Sequence, residues 1–131
     1  MNMGLYDKSK KSKVPLWKSF HFAIEGINHA LRNERNIRIH LFISVLVILG
    51  SIYFSITIVE WILVLFAIGG MLALELINTA IERIVDLVTA DIHPLAKQAK
   101  DLAASAVFLY ATFSIVIGFI IFLPRVWRLF F

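Results

Sequence analysis

The sequence predicts an all-α integral membrane protein, with three transmembrane helices preceded by an amphipathic helix lying in the interface. Composition is the first reason: of 131 residues, 60% are hydrophobic and 17% charged, against about 45–50% and about 25% in soluble domains. Mean hydropathy, at +0.82, agrees. The second reason is that windows 41–59 and 102–124 hold no charged residue. Each is long enough for a helix to cross a hydrocarbon core about 30 Å thick. The length fits one domain, and the absence of cysteine excludes disulfide frameworks, thiolate zinc sites and cysteine nucleophiles.

Residues 1–13 are polar and lysine-rich and are expected to form a basic mobile tail, with residues 14–131 forming one membrane-embedded domain. Over about 16–32, Trp17, Phe20, Ile24, Ile27 and Leu31 recur at three- and four-residue spacing and give a helix one apolar face. With Trp17 and the basic flank, that face suits the membrane interface. Packing the same face against the bundle is the alternative. Spans are expected at about 38–58, 61–86 and 95–124, with Pro124, Arg125, Trp127 and Arg128 at the interfacial end of the last. The chain shows no internal repeat.

Eleven of the 13 basic residues precede the first span or lie between the second and third, and two, Arg125 and Arg128, follow the third. The positive-inside rule therefore puts the N-terminus and the 83–101 segment in the cytoplasm of a multi-pass protein. No apolar stretch follows the basic N-terminus directly, so no cleavable signal peptide is expected. The net charge of +4 is a matter of topology, and nucleic acid is not an expected partner.

The middle span is anomalous because it reaches spanning length only by including acids. Glu75 and Glu82 stand seven residues apart, so on a helix they lie about 20° from eclipsed and about 10 Å apart along the axis. Asn78 lies between them and Asp86 one turn beyond, forming a polar rail on a helix of Ile, Leu, Val and Ala. An acid at mid-membrane costs roughly 2.5–3.5 kcal/mol and by default marks a functional site. Two simpler readings stay open: Glu82 at headgroup level paired with Arg83 or Arg38, and Glu75 as a neutral packing residue.

Carboxylates facing a cation pool suit Mg²⁺, which arrives with phosphate, and a carboxylate one or two turns deeper could take a proton from a substrate hydroxyl. Glu34 before the first span, and His93, Lys100 and Asp101 after the second, are charged neighbours that could join such a site. Neither a GxxxxGK[ST] nor a GxGxxG loop is present, and His21, His29 and His40 are scattered without zinc spacing. Gly69-Gly70 inside a span suggests close helix packing.

The stretch LALELINTAIERIVDLVTADIHPLAKQAKDLAASAV, at 72–107, closely resembles the signature of the prokaryotic diacylglycerol kinase family, most of all its undecaprenol kinase branch. The Arg32-Asn33-Glu34-Arg35-Asn36 segment, the three spans and the amphipathic helix share the likeness. The resemblance implies a homotrimer in the bacterial cytoplasmic (inner) membrane, with composite active sites that move the γ-phosphoryl of ATP to a lipid hydroxyl. It implies Glu75 as general base, and Glu34 and Glu82 as carboxylates holding Mg²⁺ on the nucleotide phosphates. Asn78 and Asp86 would support the site, and Phe22, Asp91, His93, Lys100 and Asp101 would join Glu34 and Glu82 around the nucleotide. Asn36, Arg38 and His40 would lie with Glu75 on the lipid side. His40 stands where the diacylglycerol-specific branch has an acid, and Ala104 and Ser105 also depart from that branch or its sister.

The resemblance implies an ATP-dependent lipid kinase acting on undecaprenol, with diacylglycerol as the alternative substrate. From other classes, a small ion- or proton-coupled transporter titrating Glu75, or a structural subunit, would use the same spans. The transporter would need a second polar station, and Trp61 to Leu74 holds no charged residue.

Overall fold

The computed structural model describes residues 15–131; the basic tail expected at 1–13 lies outside them. The described residues form four helices: α1 (Leu16–Asn33), α2 (Arg35–Tyr53), α3 (Ile58–Val88) and α4 (Pro94–Phe130). The last three are long and apolar enough to cross a membrane. Most of their large apolar side chains face outward, as expected where the solvent is lipid.

Most of the apolar face of α1 is not packed on the bundle. Leu16, Trp17, Phe20, Ile24 and Ile27 are exposed, and Ala30 is the buried residue of this helix. Within one chain most of this face is left unpacked, with Leu31 half-buried, which suits a helix whose greasy side lies in lipid.

A break at Glu34 separates α1 from α2. This residue is extended (φ −104°, ψ 118°) and its N–H still donates to the Ala30 carbonyl at 2.8 Å. Carbonyls left open at the end of α1 find side chains. Asn33 Nδ2 donates to the His29 carbonyl at 2.7 Å, and the Arg38 guanidinium donates to the Arg32 carbonyl at 3.2 Å. Arg38, expected on the lipid side, thus acts here as a cap.

At the opposite end of the bundle α2 stops at Tyr53, about five residues earlier than hydropathy suggests, and α3 starts at Ile58 rather than 61. The turn escapes a hydropathy scan because Phe54 and Ile56 are apolar. Ser55 takes a positive φ of 47°, and Thr57 caps α3 reciprocally with Glu60: Thr57 N–H donates to Glu60 Oε2 at 2.7 Å, and Glu60 N–H to Thr57 Oγ1 at 3.3 Å. Glu60 Oε2 also accepts from Arg125 at 2.8 Å, tying α3 to α4. Beneath this turn Ile56, Val64 and Ile121 form a buried core with Phe54, Trp61 and Phe122 around it.

Pro124 does not end α4, which continues to Phe130. The proline removes an N–H donor from the helix interior, and the adjoining Arg125 guanidinium turns back onto the Ile121 carbonyl at 2.5 Å.

Inward positions on two helices follow a seven-residue spacing. Ile37, Ser44 and Ser51 are buried on α2, and Val64, Met71 and Asn78 on α3, where Glu75 joins the same stripe. Both serines turn back to carbonyls of their own helix, His40 and Val47, so they pass as small packing residues.

Helices α3 and α4 approach closely at Gly70. A Cβ there would lie 2.0 Å from the Tyr110 hydroxyl, which donates to the Phe66 carbonyl at 2.6 Å. Gly69 differs, since among the described residues nothing lies within 4 Å of a Cβ built on it. Gly70→Ala is therefore expected to destabilise the bundle by about 1–3 kcal/mol through overpacking. Tyr110→Ala in the same chain should recover part of that loss. Thermal unfolding of the two single variants and the double variant measures the coupling, and additive losses would refute the contact.

Candidate active site

Burial falls steadily along the acidic rail of α3. Glu75 is 3% exposed and Asn78 7%; Glu82 is half-buried and Asp86 exposed. The helix has 31 residues, about 46 Å at 1.5 Å per residue, which exceeds a hydrocarbon core of about 30 Å. Measured from the Glu60–Arg125 pair at the far end, the core closes near residue 80. By helix length alone, Glu75 falls inside that boundary and Glu82 and Asp86 beyond it.

No hydrogen bond or ion pair among the described residues ends on Glu75. Its oxygens are not among the fully buried atoms that lack a partner, whereas one atom of its neighbour is. Asn78 Nδ2 donates to Glu82 Oε1 at 3.0 Å, but Asn78 Oδ1 is buried with no partner. The reading of Glu82 as a mere partner of Arg83 or Arg38 is not what the structure shows. Glu82 is held by Asn78, and Arg38 caps α1.

Arg83 reaches a different acid. Its Nη2 donates to Glu34 Oε1 at 2.8 Å, and its Nη1 meets His29 Nε2. This contact joins the α1–α2 break to α3 immediately beside Glu82. Across the rail, Lys100 at the start of α4 donates to Asp86 Oδ1 at 2.5 Å. Asp101 pairs instead with Lys97 of its own helix, so the adjacent Lys100 and Asp101 serve separate partners.

The remaining candidates are peripheral. His93 Nδ1 accepts from the Leu95 N–H at 3.2 Å and so caps α4, ahead of Pro94. Asp91 lies in the exposed α3–α4 connection, where its N–H donates to Thr89 Oγ1 at 3.2 Å. Phe22 is exposed on α1, away from the apolar stripe. Asn36 is exposed, and half-buried His40 lines a groove of about 290 Å³ between α2, α3 and α4 with Ser44, Met71, Ser114 and Phe122. The structure thus gathers Glu34, Asn78, Glu82, Asp86 and Lys100 about one end of α3, and leaves Phe22, Asn36, Asp91 and Asp101 out of those contacts. Sequence reasoning missed Arg83 and His29 as members of the cluster. No group of three or more acids or histidines among the described residues is close enough to hold a metal alone.

Residues 21–122 match the family model for prokaryotic diacylglycerol kinase, a stretch that contains every candidate above. The chain belongs to that family. An undecaprenol kinase of Bacillus subtilis (strain 168) is 47% identical over 109 residues, covering 83% of this chain and 89% of the relative. A diacylglycerol kinase of Synechocystis sp. is 38% identical over 107 residues, covering 81% and 61%, and one of Haemophilus influenzae is 32% identical over 94 residues, covering 72% and 80%. Members of the prokaryotic diacylglycerol kinase family are lipid kinases, so the three apolar helices and the acidic rail belong to a membrane enzyme of phosphoryl transfer.

Proposed function

We propose that the protein transfers the γ-phosphoryl group of ATP to the hydroxyl of undecaprenol at the cytoplasmic face of the bacterial inner membrane. The observation that carries this reading is Glu75, an acid that is 3% exposed and has no hydrogen bond or ion pair among the described residues, two turns deeper on α3 than Glu82. A lipid alcohol has its hydroxyl near the headgroups and ATP is in water, so the two meet where apolar and polar parts of one helix adjoin. Phosphoryl transfer asks mainly for positioning and charge neutralisation.

Glu75 accepts the proton of the lipid hydroxyl, whose oxygen attacks the γ-phosphorus. The bond from that phosphorus to the β–γ bridging oxygen breaks, and ADP leaves with the electron pair. Asn78 spans the distance between base and metal carboxylate: its Nδ2 holds Glu82 at 3.0 Å, and its free Oδ1 can accept from a hydroxyl. Mg²⁺ fits the donor set, since it is commonly held by one or two carboxylates together with substrate phosphates, and Glu34 and Glu82 supply two. When bound, it would draw charge from the β- and γ-phosphate oxygens. Lys100, with Asp86, would lie toward the nucleotide, joined by Phe22, Asp91, His93 and Asp101, while Asn36, Arg38 and His40 would line the lipid approach. Residues 14–131 serve as one domain, and a homotrimer would complete each site, because one chain of this size encloses little of an ATP.

Diacylglycerol is the second substrate reading, favoured by the names of several relatives. The test uses purified protein, labelled MgATP, and undecaprenol and diacylglycerol at equal mole fraction in one micelle. Label is expected chiefly in undecaprenyl phosphate; preference for diacylglycerol overturns the substrate. Ion flux in proteoliposomes without ATP, with no labelled lipid, would favour a transporter.

A further inference from the structure

The Arg83–Glu34 pair presents a conflict for the site just proposed. Glu34 is to hold a cation, yet one of its oxygens already accepts from the Arg83 guanidinium at 2.8 Å. Mg²⁺ demands close, near-octahedral oxygen ligands, and a guanidinium bound to the same carboxylate repels it. The pair is also exposed enough to rearrange, with the Arg83 side chain 46% and the Glu34 side chain 28% exposed. On its other edge Arg83 Nη1 meets His29 Nε2.

Resting on the lipid kinase reading, we propose that Arg83 is a nucleotide-binding residue kept in reserve by Glu34. With no nucleotide present it neutralises Glu34. When metal and triphosphate arrive together, Glu34 turns to the cation and the guanidinium turns to the phosphate oxygens.

Charge and position support this exchange. A triphosphate carries more negative charge than one divalent cation cancels, and Glu34 and Glu82 add their own. On the α4 side, Lys100 is engaged by Asp86 and Lys97 by Asp101. Arg83 holds Glu34, one of the two proposed metal carboxylates, so its guanidinium starts beside the proposed metal. A guanidinium fork matches phosphate geometry in two parallel hydrogen bonds, which a lysine ammonium does not. The exchange also couples the two ligands, since Glu34 becomes available to a cation only as Arg83 finds another anion.

The test measures binding without turnover. Mn²⁺ binding, followed by electron paramagnetic resonance, and binding of a non-hydrolysable β,γ-imido ATP with Mg²⁺ are compared in wild type, Arg83→Ala, Arg83→Lys and Glu34→Gln. Arg83→Ala should bind bare Mn²⁺ several-fold more tightly, because Glu34 is freed, and the nucleotide about tenfold more weakly. Arg83→Lys should bind the nucleotide more weakly than wild type and more tightly than Arg83→Ala. Circular dichroism shows whether each variant folds, and if Arg83→Ala does not, wild-type nucleotide affinity in Arg83→Lys overturns the proposal. Weakening of both ligands in a folded Arg83→Ala marks a structural clamp and overturns it, as does no change in either. Wild-type Mn²⁺ affinity in Glu34→Gln would instead remove the metal site on which the proposal rests.

Discussion

Glu75→Leu is expected to yield a protein that is more stable to heat and inactive as a kinase. By helix length Glu75, a residue 3% exposed, falls inside the apolar layer, and no hydrogen bond or ion pair among the described residues reaches it. An acid in that layer costs up to roughly 2.5–3.5 kcal/mol, less near the boundary, whereas leucine favours the layer. The substitution should therefore add about 1–3 kcal/mol to stability, seen as a rise of several degrees in the unfolding midpoint. Lipid phosphorylation should fall by about 10²–10⁴-fold, the usual range for loss of a positioned base. Opposite movement of stability and activity is the mark of a residue kept for function. A less stable variant would show that Glu75 is a packing residue after all.

Glu82 should respond differently because it has two jobs. Its Oε1 accepts from Asn78 Nδ2 at 3.0 Å, and the proposed metal role needs its charge. Glu82→Gln keeps an acceptor for Asn78 but not the charge. It should retain near-native stability while MgATP affinity falls about 100-fold or more, beyond the loss typical of residues that only orient ligands. Glu82→Ala should lose the same affinity and a further 1–3 kcal/mol of stability, roughly, because a buried amide with one unpartnered atom already would then have none satisfied. Binding isotherms at several Mg²⁺ concentrations, alongside thermal unfolding, separate the two effects. Unchanged Mg²⁺ dependence in both variants would remove Glu82 from the metal site.

The three spans were legible in the sequence because lipid selects for long uncharged runs, such as 41–59 and 102–124. Their ends were less so. The turn at residues 54–57 depends on Ser55 and on the Thr57–Glu60 capping box, and hydropathy is blind to backbone geometry among apolar neighbours. The rail of Glu75, Asn78 and Glu82 stood out for the opposite reason, as polar groups where each carries a cost. Glu34 with Arg83, 49 residues apart, did not. Charged residues near a membrane surface all look alike until a fold pairs them, and a topological reading accounts for Arg83 without a partner. Gly70 was legible as a packing glycine, whereas its partner Tyr110 was not, and a Cβ built on Gly69 beside it would meet nothing within 4 Å among the described residues. Arg38 and His93 show the same limit, since capping a helix end and facing a substrate draw on the same residue types.

The central claim is that Glu75 activates a lipid hydroxyl toward ATP bound at the adjoining polar end of α3. A single-turnover experiment tests it most directly, with enzyme in excess over γ-labelled MgATP, undecaprenol present, and wild type compared with Glu75→Gln. Wild type is expected to move the label to undecaprenyl phosphate within one turnover. Glu75→Gln should bind the nucleotide equally well yet leave the label on ATP. Transfer at the wild-type rate and amplitude in Glu75→Gln would contradict the account.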